Sequence, residues 1–312
     1  MNLLIGAVTI GLIHALLGLG VFLSYRVYRL VDLTADGSFG IGVAVAAALL
    51  VHGVHPVPAT AAATLAGALA GGITGFLYTR FMVNALLAGV LTSTALYSVS
   101  LFVMGSGSLS LASSPTLVAQ AGRAAERLGL PPTVTLLGTE VQGSSLATLL
   151  LMALLAVGFA LALAGFLGTD LGTAMRAAGS NPQMARAIAI DVEGMVVLGL
   201  GVSNALIALS GALIAQYQGF ANVTMGVGAV VTGLANLMVG ETLLGKRSIG
   251  RWIAGAVVGA VVFRLLVAGA IRAGLNADAL KLVTAAFVLA VLILPQLGGR
   301  LARSPEGGRP HA

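Results

Sequence analysis

Nine apolar stretches, most of them near the roughly 20 residues that carry an α-helix across a bilayer, limit what this chain can become. They occupy 3–24, 38–51, 59–79, 84–104, 146–166, 195–216, 226–240, 252–271 and 279–294. The chain is 58% hydrophobic and 8% charged, whereas a soluble domain carries about 25% charged residues. The expected fold is therefore an all-α polytopic membrane protein. Residues 1–296 form its transmembrane domain and 297–312 a short tail. The N-terminal run has neither a basic leader nor a small-residue cleavage site, so it reads as the first span and not as a removable signal.

The basic residues orient the chain. With the N-terminus outside, Arg26, Arg29, Arg80, Arg176, Arg186, Lys246, Arg247, Arg251 and the three tail arginines fall on the inner side. Arg123, Arg127, Arg272 and Lys281 fall outside. That asymmetry follows the positive-inside rule and places the C-terminus in the cytoplasm. It also accounts for the net charge of +6 without invoking nucleic acid. There is no cysteine, which removes disulfides, thiolate metal sites and thiol catalysis. A polar stretch at 105–145 falls outside, with 120–128 as a short interfacial helix. A second, 167–194, falls in the cytoplasm and reads as two helical pieces broken at Gly179-Ser180-Asn181-Pro182.

Two stretches, 38–51 and 226–240, are too short to cross alone, and each follows a turn-forming segment, DLTADG or GFANVTM. They are expected to be broken or re-entrant helices. Residues 14–34 align without a gap on 204–224, matching Ala15 with Ala205, Leu16 with Leu206, Leu19 with Leu209, Leu23 with Leu213 and Thr34 with Thr224. Each copy is a long helix, a polar break and a short helix. With the orientation above they run in opposite directions. Inverted repeats with paired breaks place a transport pathway at the repeat interface.

The polar residues of these repeats are the pathway candidates: His14, Asp32, Thr34, Asp36, Asn204, Asn222, Thr224 and, in the run VVFRLLV, Arg264. Asp36 or Ser38 could equally cap the helix that follows. His14 and Asn204 could bond neighbouring helices, and Arg264 could snorkel outward. None of the ten acidic residues lies in the middle of an apolar stretch, so ion coupling through a membrane carboxylate has no evident candidate. Glu241 sits beside Lys246, Arg247 and Arg251, which suggests a local charge pair. There is no metal-ligand spacing and no GxxxxGK[ST] phosphate loop.

Three segments carry a family resemblance: GLIHALLGLGVFLSYRVYRLVDLTADGSF, GTAMRAAGSNPQMARAIAI and LSGALIAQYQGFANVTMGVG. They resemble the permease subunits of bacterial ABC importers, in the branched-chain-amino-acid/ribose permease superfamily and its tryptophan/tyrosine-type or uncharacterised subgroup. The likeness runs over residues 1–296. It implies that residues 174–190 are a coupling helix pair for an ATPase, carried by Ala174, Arg176, Ala177, Gly179, Asn181, Pro182, Ala185 and Arg186 in the pattern AxRAxGxNPxxAR. Ala189 stands where the family usually has glycine. The resemblance also implies a dimer of ABC ATPase subunits that binds ATP and Mg, an extracytoplasmic substrate-binding protein, and a second permease copy in the inner membrane. The permease itself would bind no cofactor and catalyse nothing. Its cargo would be an amino acid or an aromatic or heterocyclic metabolite. A stand-alone ion-coupled secondary transporter is the alternative.

Overall fold

Eleven helices account for most of the described chain. The structure, a computed structural model, describes residues 2–274 except 128, 130, 132, 137–138 and 246–247, together with Ala286 and Leu289. The ninth apolar stretch, 279–294, apart from those two helical positions, and the tail 297–312 lie outside the described residues.

Helix α1 (Asn2–Phe22) widens into a π-helical turn at Leu23–Val27, and α2 (Thr34–Val51) turns tightly into α3 (Pro56–Arg80). Next come α4 (Ala85–Met104), strand β1 (Ser108–Ser110), α5 (Leu117–Arg127) and the hairpin β2 (Thr133–Leu136) with β3 (Thr139–Gln142). Then follow α6 (Gly143–Gly168), α7 (Asp170–Ser180), α8 (Pro182–Ala187) and α9 (Val192–Gln218). Strand β4 (Phe220–Asn222) pairs antiparallel with β1 and leads through a 3-10 turn, Val223–Gly226, into α10 (Ala229–Leu244) and α11 (Ile249–Arg272). Among the described residues eight helices are long and apolar enough to cross a membrane.

Their ends follow ordinary capping chemistry. The Asn84 side chain accepts from Leu86 N–H to start α4, and Asp191 accepts from Gly194 N–H to start α9. Gly105 (φ 65°) and Gly219 (φ 75°) end α4 and α9 in the left-handed conformation that glycine adopts without a Cβ clash. Helix α5 begins earlier than the expected 120–128 segment, at Leu117, and ends at Arg127.

The two expected short helices are longer than their apolar runs. Helix α2 has 18 residues because it starts at Thr34, and the second unit runs from Val223 to Leu244. The physical reason is the position of the caps. Asp32 Oδ1 accepts from Thr34 N–H at 2.9 Å, so Asp36 lies inside the first turn and Ser38 is fully buried beyond it. Neither caps α2, contrary to the sequence expectation.

The inverted repeat is visible in the packing of α1 against α9. Extending the alignment of 14–34 on 204–224 one position back pairs Ile13 with Ser203, and Gly20 aligns with Ser210. Ser203 Oγ donates to Gly20 C=O at 2.7 Å, and Ser210 Oγ donates to Ile13 C=O at 2.9 Å. The two contacts join aligned positions that exchange under a pseudo-twofold axis between the helices, with α9 the donor in both. Residue numbers rise on one helix as they fall on the other, so α1 and α9 are antiparallel. The repeats also interlock: α3 and α2 pack chiefly on α9, while α11 and α10 pack on α1. Small residues permit the close approach, as where Gly71 of α3 faces the Leu200 carbonyl of α9. Helices α4 and α6 show large apolar side chains on the outside, Phe102, Leu154 and Leu161 among them. A bilayer would cover those faces.

Candidate functional site: the paired breaks and the connecting hairpin

The two breaks are built alike. Asp32 Oδ1 accepts from Thr34 N–H, and the aligned Asn222 Oδ1 accepts from Thr224 N–H at 2.8 Å. Thr224 Oγ1 also donates to Asn222, while Thr34 Oγ1 bonds Thr74 Oγ1 of α3 at 2.8 Å. The breaks then meet. Asp36 Oδ1 accepts from Val230 N–H at 2.8 Å and its Oδ2 from Gly228 N–H at 3.2 Å. Asp36 thus caps the helix of the other repeat, where its charge also faces the positive end of the α10 dipole.

Asp32 corrects the sequence reading. It is only 6% exposed, and its Oδ2 accepts at 2.7 Å from Nδ2 of Asn204, midway along α9. A carboxylate is therefore buried among spanning helices, although Asp32 precedes the apolar stretch in sequence.

His14 and Asn204, aligned by the repeat, both bond a carbonyl one turn back: His14 Nδ1 that of Ile10, Asn204 Nδ2 that of Leu200. A carbonyl only accepts, so His14 Nδ1 carries the proton and Nε2 is free to accept. It accepts from Arg264 Nη2 at 2.8 Å. Arg264 does not extend toward Arg272, and among the described residues its Nε is buried without a partner. A cavity of about 430 Å³ opens here, lined by His14, Phe39, Gly228, Thr232 and Arg264. The structure thus brings His14 and Arg264 to one cavity, beside the Gly228 N–H that Asp36 accepts from, with Asp32, Thr34 and Asn204 forming a separate buried network. Thr224 stays exposed at the break.

Of the local partners expected for Glu241, Lys246 and Arg247 lie outside the described residues. Arg26, in the π-helical turn after α1, donates from Nε and Nη2 to the two oxygens of the buried Glu241 carboxylate of α10. The partners are far apart in sequence, so no local pattern could show it. Asn236, in the apolar middle of α10, is a further polar residue of the site: it donates to His14 C=O, and its apolar sequence neighbours are the signal that marks it.

The segment 167–194 forms the expected hairpin. Thr169 caps α7 by accepting from Gly172 N–H. Asn181 caps α8 by accepting from Met184 N–H at 3.0 Å, with Pro182 at its first position. Met175, Ala178 and Ala185 are buried, and Ala174 and Ala177 half-buried, so the small residues face the chain's own core. Gly179 shows this most directly: a Cβ there would stand 2.0 Å from the Val27 carbonyl. The hairpin therefore seats on the π-helical end of α1. Next to that contact, Tyr28 donates to Met195 C=O, and burial raises the pKa of its phenol. Arg186 pairs with Glu193 at 3.2 Å on the surface. Arg176 is half-buried, bonded to Thr173 Oγ1 at 3.1 Å. Helix α8 and its C-cap present Met184 (47% exposed) and Ile188 (61%), which sequence reasoning passed over because lone apolar residues in a polar segment give no periodic signal.

Ala189 adopts φ 61°, the left-handed conformation that costs a residue with a Cβ about 1–2 kcal/mol. Ala189→Gly is expected to stabilise the protein by about 1 kcal/mol, measured as a raised thermal midpoint in detergent. A lowered midpoint would count against the strain.

A family profile described as the permease component of branched-chain amino acid transport systems matches residues 3–294. A protein named as a tyrosine transport system permease from Clostridioides difficile (strain R20291) is 33% identical over 304 residues, covering 97% of this chain and 95% of its own length. An uncharacterised protein of Rickettsia prowazekii (strain Madrid E) is 32% identical over 243 residues, 78% of each chain. No solved structure matches.

Proposed function

Because this chain belongs to the family of branched-chain amino acid transport system permease components, we propose that it is the membrane-spanning subunit of an ATP-binding-cassette importer. Its role as a permease component, in a multi-pass membrane protein, follows from the family and from the eight membrane-length helices among the described residues. The motor and the cargo are the proposed part. The observation that carries the reading is the α7–α8 hairpin, which offers Met184, Arg186 and Ile188 at one end of the bundle while Gly179 seats it on the end of α1. An ordinary solvated loop has no reason to hold two apolar side chains in water. A docking face does.

In this reading the hairpin faces the cytoplasm and the N-terminus lies outside. A dimer of ATPase subunits, which binds ATP and Mg, grips the hairpin. Its closure moves Val27 and Tyr28, and with them the chain leading to Asp32 and the paired breaks. That is a two-state element biased by nucleotide. A binding protein delivers the solute on the other side, and a second permease copy completes the pathway. The similarity to a tyrosine transport permease supports an amino acid as cargo, with other aromatic or heterocyclic metabolites next.

Purification from native membranes should bring down an ATPase and an extracytoplasmic binding protein. Met184→Asp combined with Ile188→Asp should cut ATPase recovery by about tenfold or more and leave binding-protein recovery unchanged. Equal ATPase recovery would remove the docking role. The second reading, an ion-coupled transporter acting alone, is favoured by the buried Asp32 carboxylate. Uptake by the purified chain in liposomes under an ion gradient alone would establish it; none is expected.

A further inference from the structure

We infer that the pocket at the hairpin end of α1, α6 and α11 binds the phosphate of an anionic phospholipid. The pocket has a volume of about 310 Å³, and Arg26, Arg29, Arg176, Ser180 and Trp252 line it. Arg26 is taken by Glu241. Among the described residues Arg29 and Arg176 have no carboxylate within ion-pair distance, so the space carries uncompensated positive charge.

Two further observations point to a missing acceptor. Arg176 Nε and Trp252 Nε1 are both buried and without a hydrogen-bond partner among the described residues. A buried donor left unpaired is costly, and native structures leave few of them. The two come from different elements, α7 and α11, and line the same space. One anion with several acceptor oxygens satisfies both. Arg29 is also held at φ 56°, a conformation that non-glycine residues rarely adopt.

The location selects the source of that anion. Leu167 is at the last turn of α6, Trp252 in the first turn of α11, and Phe22 at the end of α1, with the Phe22 and Trp252 rings 6.1 Å apart. The ends of three spans with an indole among them mark the headgroup level of a membrane. Basic pockets between spans at that level suit lipid phosphates. Pro182 and Arg186 border a different groove, with Tyr78 and Met82, so the pocket is not the docking face proposed above.

Native mass spectrometry of the full permease in mild detergent tests this with phosphatidylglycerol, phosphatidylcholine and inorganic phosphate as probes. Phosphatidylglycerol is expected to be retained about tenfold or more over phosphatidylcholine, whose choline the arginines repel. Arg29→Gln with Arg176→Gln should bring retention down to the phosphatidylcholine level, and inorganic phosphate should not displace the lipid. If that double variant does not fold, Trp252→Phe keeps a ring while removing the N–H and should lower retention several-fold. Equal retention of the two lipids, unchanged retention in the variants, or displacement by inorganic phosphate would each overturn the inference. None of these readouts depends on the ATPase or on the cargo.

Discussion

Gly71→Val should leave no folded permease, while Gly72→Val, one position along the same helix, should behave as the parent. A Cβ at Gly71 would sit 2.1 Å from the Leu200 carbonyl oxygen and 2.7 Å from Asn204 Cβ; at Gly72 it would meet nothing within 4 Å. Helix propensity and side-chain entropy are nearly the same at the two sites and cancel in the comparison. What remains is the overlap with α9 backbone, which cannot yield by a rotamer change. Overpacking costs about 1–3 kcal/mol where side chains can shift, and more where they cannot. The contact matters doubly because α3 packs on α9 more extensively than any other helix pair packs, and because Asn204 holds Asp32. Size-exclusion profiles and thermal unfolding of the two variants decide it. If both are monodisperse with similar midpoints, the close contact of α3 with α9 is not what holds the repeats together.

Asn204→Leu is the second large expected loss. It removes the 2.7 Å bond to Asp32 Oδ2 and leaves that oxygen among apolar groups. A hydrogen bond to a charged group contributes about 1.5–3 kcal/mol, and stranding the acceptor adds its desolvation cost, so the loss should reach about 3 kcal/mol. Asp32→Asn alone should be milder, since it removes the charge and keeps an oxygen for Thr34 N–H. Combined with Asn204→Leu it should recover part of the loss. The cycle is then non-additive, as expected for residues in direct contact. Additive losses from the two substitutions would show that the pair is not coupled.

Much of this architecture is legible in the sequence, and the rest fails for identifiable reasons. Hydropathy marks the spans because each must match the bilayer, and the 14–34 against 204–224 alignment anticipates the exchanged serine bonds of α1 and α9. The hairpin is legible because Asn181-Pro182 is a local start signal. What escapes is long-range. Asp36 is spaced like a local cap but serves α10, because Asp32, just ahead of the N-cap Leu33, already accepts from the first N–H of α2. Asp32 looks like a loop residue until the chain folds it back against the middle of α9. Gly179 stands in the hairpin motif, yet no local pattern shows that the surface it admits is the end of α1. The Arg26 grip on Glu241 joins helices from opposite ends of the chain, and nothing local signals it.

The cap that Asp36 supplies to α10 has a consequence for how the chain is made. The two residues of that contact, Asp36 and Gly228, are 192 positions apart. At about 5–20 residues per second of synthesis, Asp36 emerges roughly 10–40 s before the N–H groups that donate to it exist. Throughout that interval the early spans are in place with a carboxylate still waiting, and the first half of the protein cannot mature ahead of the second.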